Sequence, residues 1–145
     1  MDVTEIQDWQ FGQLGSDARW SWCASGVEWT TGLRIDVCIK TKLTENNTIP
    51  EHARAIFNAL RDRQNEFISA AARKLLDAFN AFWDDDDDRP AEWPFDVSGF
   101  LDQTRLMAVI VDPDQDSELQ CHMDGGPMLR VFVSPDLSFK TAWFD

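Results

Sequence analysis

Residues 48–82 read TIPEHARAIFNALRDRQNEFISAAARKLLDAFNAF, and this stretch decides the fold. Ala53, Ile56, Phe57, Leu60, Phe67, Ile68, Ala71, Leu75, Phe79 and Phe82 recur at steps of three and four, with Gln64 the one polar member of the stripe. That period marks an amphipathic helix with one face in a core. The other face carries Arg54, Arg61, Asp62, Glu66, Arg73 and Asp77. Thr48 is placed to cap the start, with Glu51 three residues on and Pro50 in the first turn. A straight helix of this length spans about 50 Å, against roughly 38 Å for a compact chain of this size. A bend or break is therefore expected near Arg63, Gln64 and Asn65.

Strand patterns lie on both sides of the helix. Arg19 to Ala24 alternates, Ser25-Gly26 punctuates, and Val27 to Thr30 alternates again. After Thr31-Gly32, Leu33, Ile35, Val37 and Ile39 share one face while Arg34, Asp36, Cys38 and Lys40 share the other. Downstream, Ser98 is placed to cap a short helix over residues 99–103. Leu106–Val111 is a continuous apolar run suited to a central strand, and Glu118–Met123 alternates. Asp124-Gly125-Gly126-Pro127 turns the chain, Leu129, Val131 and Val133 form an inward row, and Phe139, Thr141 and Trp143 complete a final strand. These patterns predict a single α+β domain over residues 1–145: antiparallel sheet, from N- and C-terminal strands, packed on one long, bent helix. No repeat or linker divides the chain.

The 145 residues suffice for a real core, and 43% hydrophobic content rules out wholesale disorder. The charge is unusual. Thirteen Lys and Arg face 26 Asp and Glu, a net of −13, which argues against direct binding of nucleic acid or an anionic membrane. The excess is uneven, since residues 84–145 hold 15 acids and 4 bases. Three cysteines without close spacing fit a reducing compartment and no disulfide framework. With no signal-like start and no long apolar run, the expected location is the cytoplasm.

Motifs for catalysis are sparse. His52 and His122 lie 70 residues apart on different predicted elements, and Cys121 and His122, as strand neighbours, face opposite sides. No nucleophile elbow, phosphate loop or zinc spacing is present, so no enzyme activity and no cofactor are expected. Asp112, Asp114 and Asp116 sit at the first three ligand positions of a calcium loop, but Ser117 and Met123 stand where that loop needs Gly and Glu. A metal-dependent role for Asp112–Glu118 is the alternative to a solvated acidic hairpin.

The sharpest feature is the loop from Asp84 to Asp96. Asp84, Asp85, Asp86, Asp87, Asp88 and Glu92 stand between Trp83 and Trp93, with Phe95 just beyond. Carboxylates at a helix C-terminus oppose its dipole and repel one another, so the run works against local stability. Carboxylates interleaved with aromatics have the composition of an interface; the plain alternative is a solvated linker. Candidate partner-binding residues are therefore Asp84–Asp88, Glu92, Asp112, Asp114, Asp116 and Glu118 for charge, with Trp93 and Phe95 as anchors. Trp9, Trp20, Trp22 and Trp29 read mostly as core, with a Trp-rich homodimer face as a further alternative.

The start Trp9-Gln10-Phe11-Gly12-Gln13-Leu14-Gly15, the Trp-bearing strand, the long helix and the closing meander resemble small bacterial immunity proteins of polymorphic toxin systems, including contact-dependent growth inhibition. The resemblance implies a binding protein that neutralises a cognate toxin domain, a basic nuclease for example, by covering its active site or substrate groove. It carries over no interface residue.

Overall fold

The computed structural model describes residues 3–18, 21–84 and 87–145. Arg19, Trp20, Asp85 and Asp86, each named above, lie outside the described residues. Eight strands lie side by side in chain order. They are β1 (Glu5–Asp8), β2 (Gly12–Ala18), β3 (Ser21–Thr30), β4 (Leu33–Lys40), β5 (Thr104–Val111), β6 (Ser117–Met123), β7 (Met128–Val133) and β8 (Phe139–Phe144). Each half of the sheet is an antiparallel meander. The halves join where β4 and β5 run parallel, Val37 beside Val109 and Ile39 beside Val111. A parallel pair needs a long crossover, and residues 41–103 supply it as α1 (Glu51–Asp62), α2 (Gln64–Phe82) and α3 (Val97–Asp102).

This corrects the expected architecture twice. The sheet is one mixed eight-stranded sheet, not antiparallel sheet alone, because meanders bring β4 and β5 together in one direction. The single long helix is two helices that meet at Arg63, whose backbone leaves helical geometry (φ −111°, ψ 17°). The break falls within the three residues where a bend was expected. Its neighbours are tied elsewhere: Gln64 accepts the Trp29 indole N–H at 2.5 Å, and Arg63 forks onto Glu66 and lies over Phe67. Caps differ too. Pro50, not Thr48, begins α1 without a side-chain cap, and Asp96, not Ser98, caps α3 by accepting Gly99 N–H.

Alternation along the strands sets one face against the helices. Trp22, Ala24, Val27, Trp29, Ile35, Val37 and Ile39 are buried on one half, and Leu106, Val109, Val111, Leu119, Cys121, Met123, Leu129, Val131, Val133 and Ala142 on the other. Phe57 meets Phe11 and Trp29 edge-on at one end of this layer, and Phe79 meets Phe95, Phe100 and Phe144 at the other. In β8 the inward residues are Ala142 and Phe144, while Trp143 is exposed, beyond an irregularity between Phe132 and Val133. No described helix is long and apolar enough to cross a membrane.

Two ties were not legible in sequence. Arg54, assigned to the polar face of the helix, is buried and grips Asp8 with two hydrogen bonds of 2.9 and 3.0 Å. Asp8 also accepts the backbone N–H groups of Gln10 and Phe11, which shapes the β1–β2 turn. The pair thereby fastens an edge hairpin to α1. The second tie corrects the cysteine reading: Cys23 and Cys38, directly opposed on β3 and β4, form a disulfide on the face away from the helices.

Burial disfavours the charged form of Asp8, but the Arg54 hydrogen bond, the two backbone donors and the guanidinium charge outweigh it and hold its pKa below the ordinary 3.8. Its contribution is therefore complete at pH values above 3.8 and is lost as pH falls through the depressed folded value. Asp8→Asn strands a buried guanidinium and should cost about 3–5 kcal/mol in urea unfolding at neutral pH, with the gap to wild type closing in acid. Reduction of Cys23–Cys38, which closes a separation of 15 residues, should lower stability by up to about 3 kcal/mol; thiol-sensitive mass analysis reports the bond directly.

Candidate functional site

The acidic loop leaves the end of α2 and is fastened at its base. Trp83 is buried against Gly125 of the β6–β7 turn, where an added Cβ would meet the indole at 3.2 Å. Asn80 clamps the far side: its amide donates to Phe95 O at 2.9 Å and its carbonyl accepts Phe95 N–H at 2.7 Å. The Trp93 indole donates to Asn80 O at 2.9 Å, and the Trp93–Pro94 bond is cis. Phe95 is core, 5% exposed and in contact with Phe79.

Of the two expected anchors, then, Phe95 faces inward and Trp93 is half-buried with its indole N–H already bonded. What the loop shows outward is carboxylate: Asp84, Asp87, Asp88 and Glu92 are exposed. Arg89, the one cation in the segment, turns back over the Trp93 ring at 4.4 Å and donates to Asp84 O. Its charge is set against the loop's own aromatic and carbonyl.

The second acidic segment is elsewhere. Trp83 fixes the first beside the β6–β7 turn, whereas Asp112–Asp116 forms the turn at the other end of β6, roughly 20 Å away at 3.3 Å per residue. The expected acidic surface is thus two patches at opposite ends of a strand. Within the second, Asp112 accepts the backbone N–H groups of Asp114 and Gln115, and Asp116 pairs with Lys140 at 2.6 Å. Glu118 is buried and pairs with Arg130 at 2.7 Å. Asp116 and Glu118 are thus held in ion pairs and Asp112 shapes the turn, and among the described residues no three His, Cys, Asp or Glu side chains converge on a metal-sized space.

Around Glu118, residues that sequence analysis passed over gather on the sheet face away from the helices. Adjacent register rows place Ile110, Glu118 and Phe132 in one line and Ala108, Gln120, Arg130 and Trp143 in the next. Phe132 and Trp143 stack with centroids 4.3 Å apart and planes 23° apart. The Arg130 guanidinium lies 5.3 Å from the first ring and 5.7 Å from the second, held by Glu118 and, at 3.8 Å, by Asp145. Gln120 also donates to Glu118. Period-two alternation placed Glu118 and Gln120 on one strand face, but only the register across three strands shows the cluster. At the opposite edge, Trp9 is 81% exposed over Arg54.

Cys121 and His122 do face opposite sides: Cys121 is fully buried, and desolvation pushes its thiol up to about 12, whereas His122 is exposed. Compared with protein-family models, with curated proteins and with solved structures, the chain matches none.

Asn80→Ala removes both side-chain bonds to Phe95 and should free the loop at a cost of about 1–3 kcal/mol. Limited digestion with a glutamate-specific endopeptidase should then cut after Glu92 much faster than in wild type, while Asn80→Asp, which keeps the acceptor, should fall between.

Proposed function

We propose that this chain is a binding protein that neutralises a cationic protein domain, in the manner of a bacterial immunity protein acting on its toxin. The observation that carries the reading is the clamped acidic loop. Asn80, Trp83 and Phe95 hold its base, and Arg89, though exposed, is folded over the Trp93 ring, so Asp84, Asp87, Asp88 and Glu92 are presented to solvent from a fixed support. A preset cluster of like charge costs the free protein repulsion, which a cationic partner relieves. The net charge of −13 extends the attraction beyond contact distance and accelerates encounter. A basic nuclease domain fits this description, since its substrate groove is cationic. In this reading the chain performs no chemistry, needs no cofactor, and works in the cytoplasm. There the Cys23–Cys38 bond would be open to reduction, so the fold must stand on its core without it.

The test is co-expression of the tagged chain with the basic C-terminal fragment of the protein encoded directly upstream. A stoichiometric complex that protects cells from the fragment is the expected result. Within it, Asp84→Asn/Asp87→Asn/Asp88→Asn/Glu92→Gln should slow association about tenfold or more at low salt and leave it nearly unchanged at high salt. Elution of the chain alone, without a basic partner, would overturn the reading.

A further inference from the structure

The geometry points to the outer face of β6–β8 as the surface on which the cationic partner docks, with Trp143 as the platform for an arginine side chain of that partner. The inference rests on the reading of a cationic partner but locates the energetic centre away from the acidic loop. Three observations carry it.

First, among the described residues no helix covers this face, with only Lys74 of α2 reaching round to Thr141 at its edge, yet it carries the stacked Phe132–Trp143 pair, with Trp143 42% exposed. Tryptophan, arginine and aromatic neighbours around a desolvated centre have the composition of a binding hot spot, whereas the loop's own aromatics point inward. Second, the face already holds one guanidinium against aromatic rings, Arg130 beside Phe132 and Trp143, with Glu118 fixing its fork. A planar guanidinium stacks on an indole better than an ammonium does, so the free part of Trp143 discriminates arginine from lysine.

Third, the charge is complementary to a cation. Residues 104–145 contain three cations and seven carboxylates. Each cation is engaged within the same half of the sheet: Arg105 with Asp124, Arg130 with Glu118 and Asp145, Lys140 with Asp116. Carboxylates remain in excess at the neighbouring turns, where Asp112, Asp114 and Asp136 lie. That surplus, within a chain of net charge −13, opposes a second copy of the chain and favours a basic surface.

Octa-arginine and octa-lysine peptides at low salt provide the test, followed by binding isotherms and by the indole N–H resonance of Trp143. Octa-arginine should bind at least several-fold more tightly than octa-lysine and shift the Trp143 signal together with the backbone signals of Arg130 and Phe132. Trp143→Ala should abolish the arginine preference, and Trp143→Lys should weaken octa-arginine further, both with near-native melting temperature. The fourfold loop variant should weaken both peptides alike and preserve the preference. Equal binding of the two peptides with Trp143 unmoved, or shifts confined to residues 84–92, would overturn this inference and leave the cationic-partner reading standing. Failure of both peptides to bind would overturn both readings at once.

Discussion

The parallel pairing of β4 with β5 is the constraint on which the rest of the structure depends. Two meanders could pack as separate sheets; joined through Val37–Val109 and Ile39–Val111 they become one. A parallel junction in turn requires the chain to travel back along the sheet, and the helical segment is that return path. All three helices therefore lie on one face. The asymmetry that follows, one face buried beneath helices and the other not, determines which polar and aromatic residues reach solvent.

Within the covered layer, aromatic contacts divide the work. Phe57 gathers Phe11 and Trp29 under α1, and Phe79 gathers Phe95, Phe100 and Phe144 under α2. The buried Asp8–Arg54 pair is of a different nature. Burial penalises both charges, and the pair holds because the fork geometry and the backbone donors of the turn satisfy the carboxylate. It fixes where the β1–β2 hairpin sits, an edge element that its own short strands would hold poorly.

Carboxylates in this protein differ in burial and in their ties to the chain's own cations. Asp8, Asp116, Glu118 and Asp124 each hold a cation of the chain itself. Asp84, Asp87, Asp88 and Glu92 stand exposed on a loop whose one cation, Arg89, is also exposed and lies over the Trp93 ring. Composition treats these groups as equivalent, whereas the proposed recognition draws on the second set. The same division separates the aromatics, with Trp22, Trp29, Trp83 and Phe95 inside and Trp9 and Trp143 outside.

The sequence by itself determined what local periodicity can encode: most strands and their inward rows, the helical segment with its interruption near Arg63, and the strongly acidic surface. Each is a property of residues within one or two turns of one another, so spacing suffices to reveal it. Tertiary structure alone decided the rest. The parallel junction is a contact between strands more than sixty residues apart, and so no local pattern announces it. Arg54 looks solvated on a helical wheel until Asp8 arrives from an edge strand. Cys23 and Cys38 lack the spacing of a motif, yet antiparallel register sets them side by side. Trp93 and Phe95 looked like paired anchors, but the Asn80 clamp turns one into core and half-buries the other. The stack of Phe132 and Trp143 depends on an irregularity at the end of β7 that sets which face β8 presents, and one residue of register decides between core and surface.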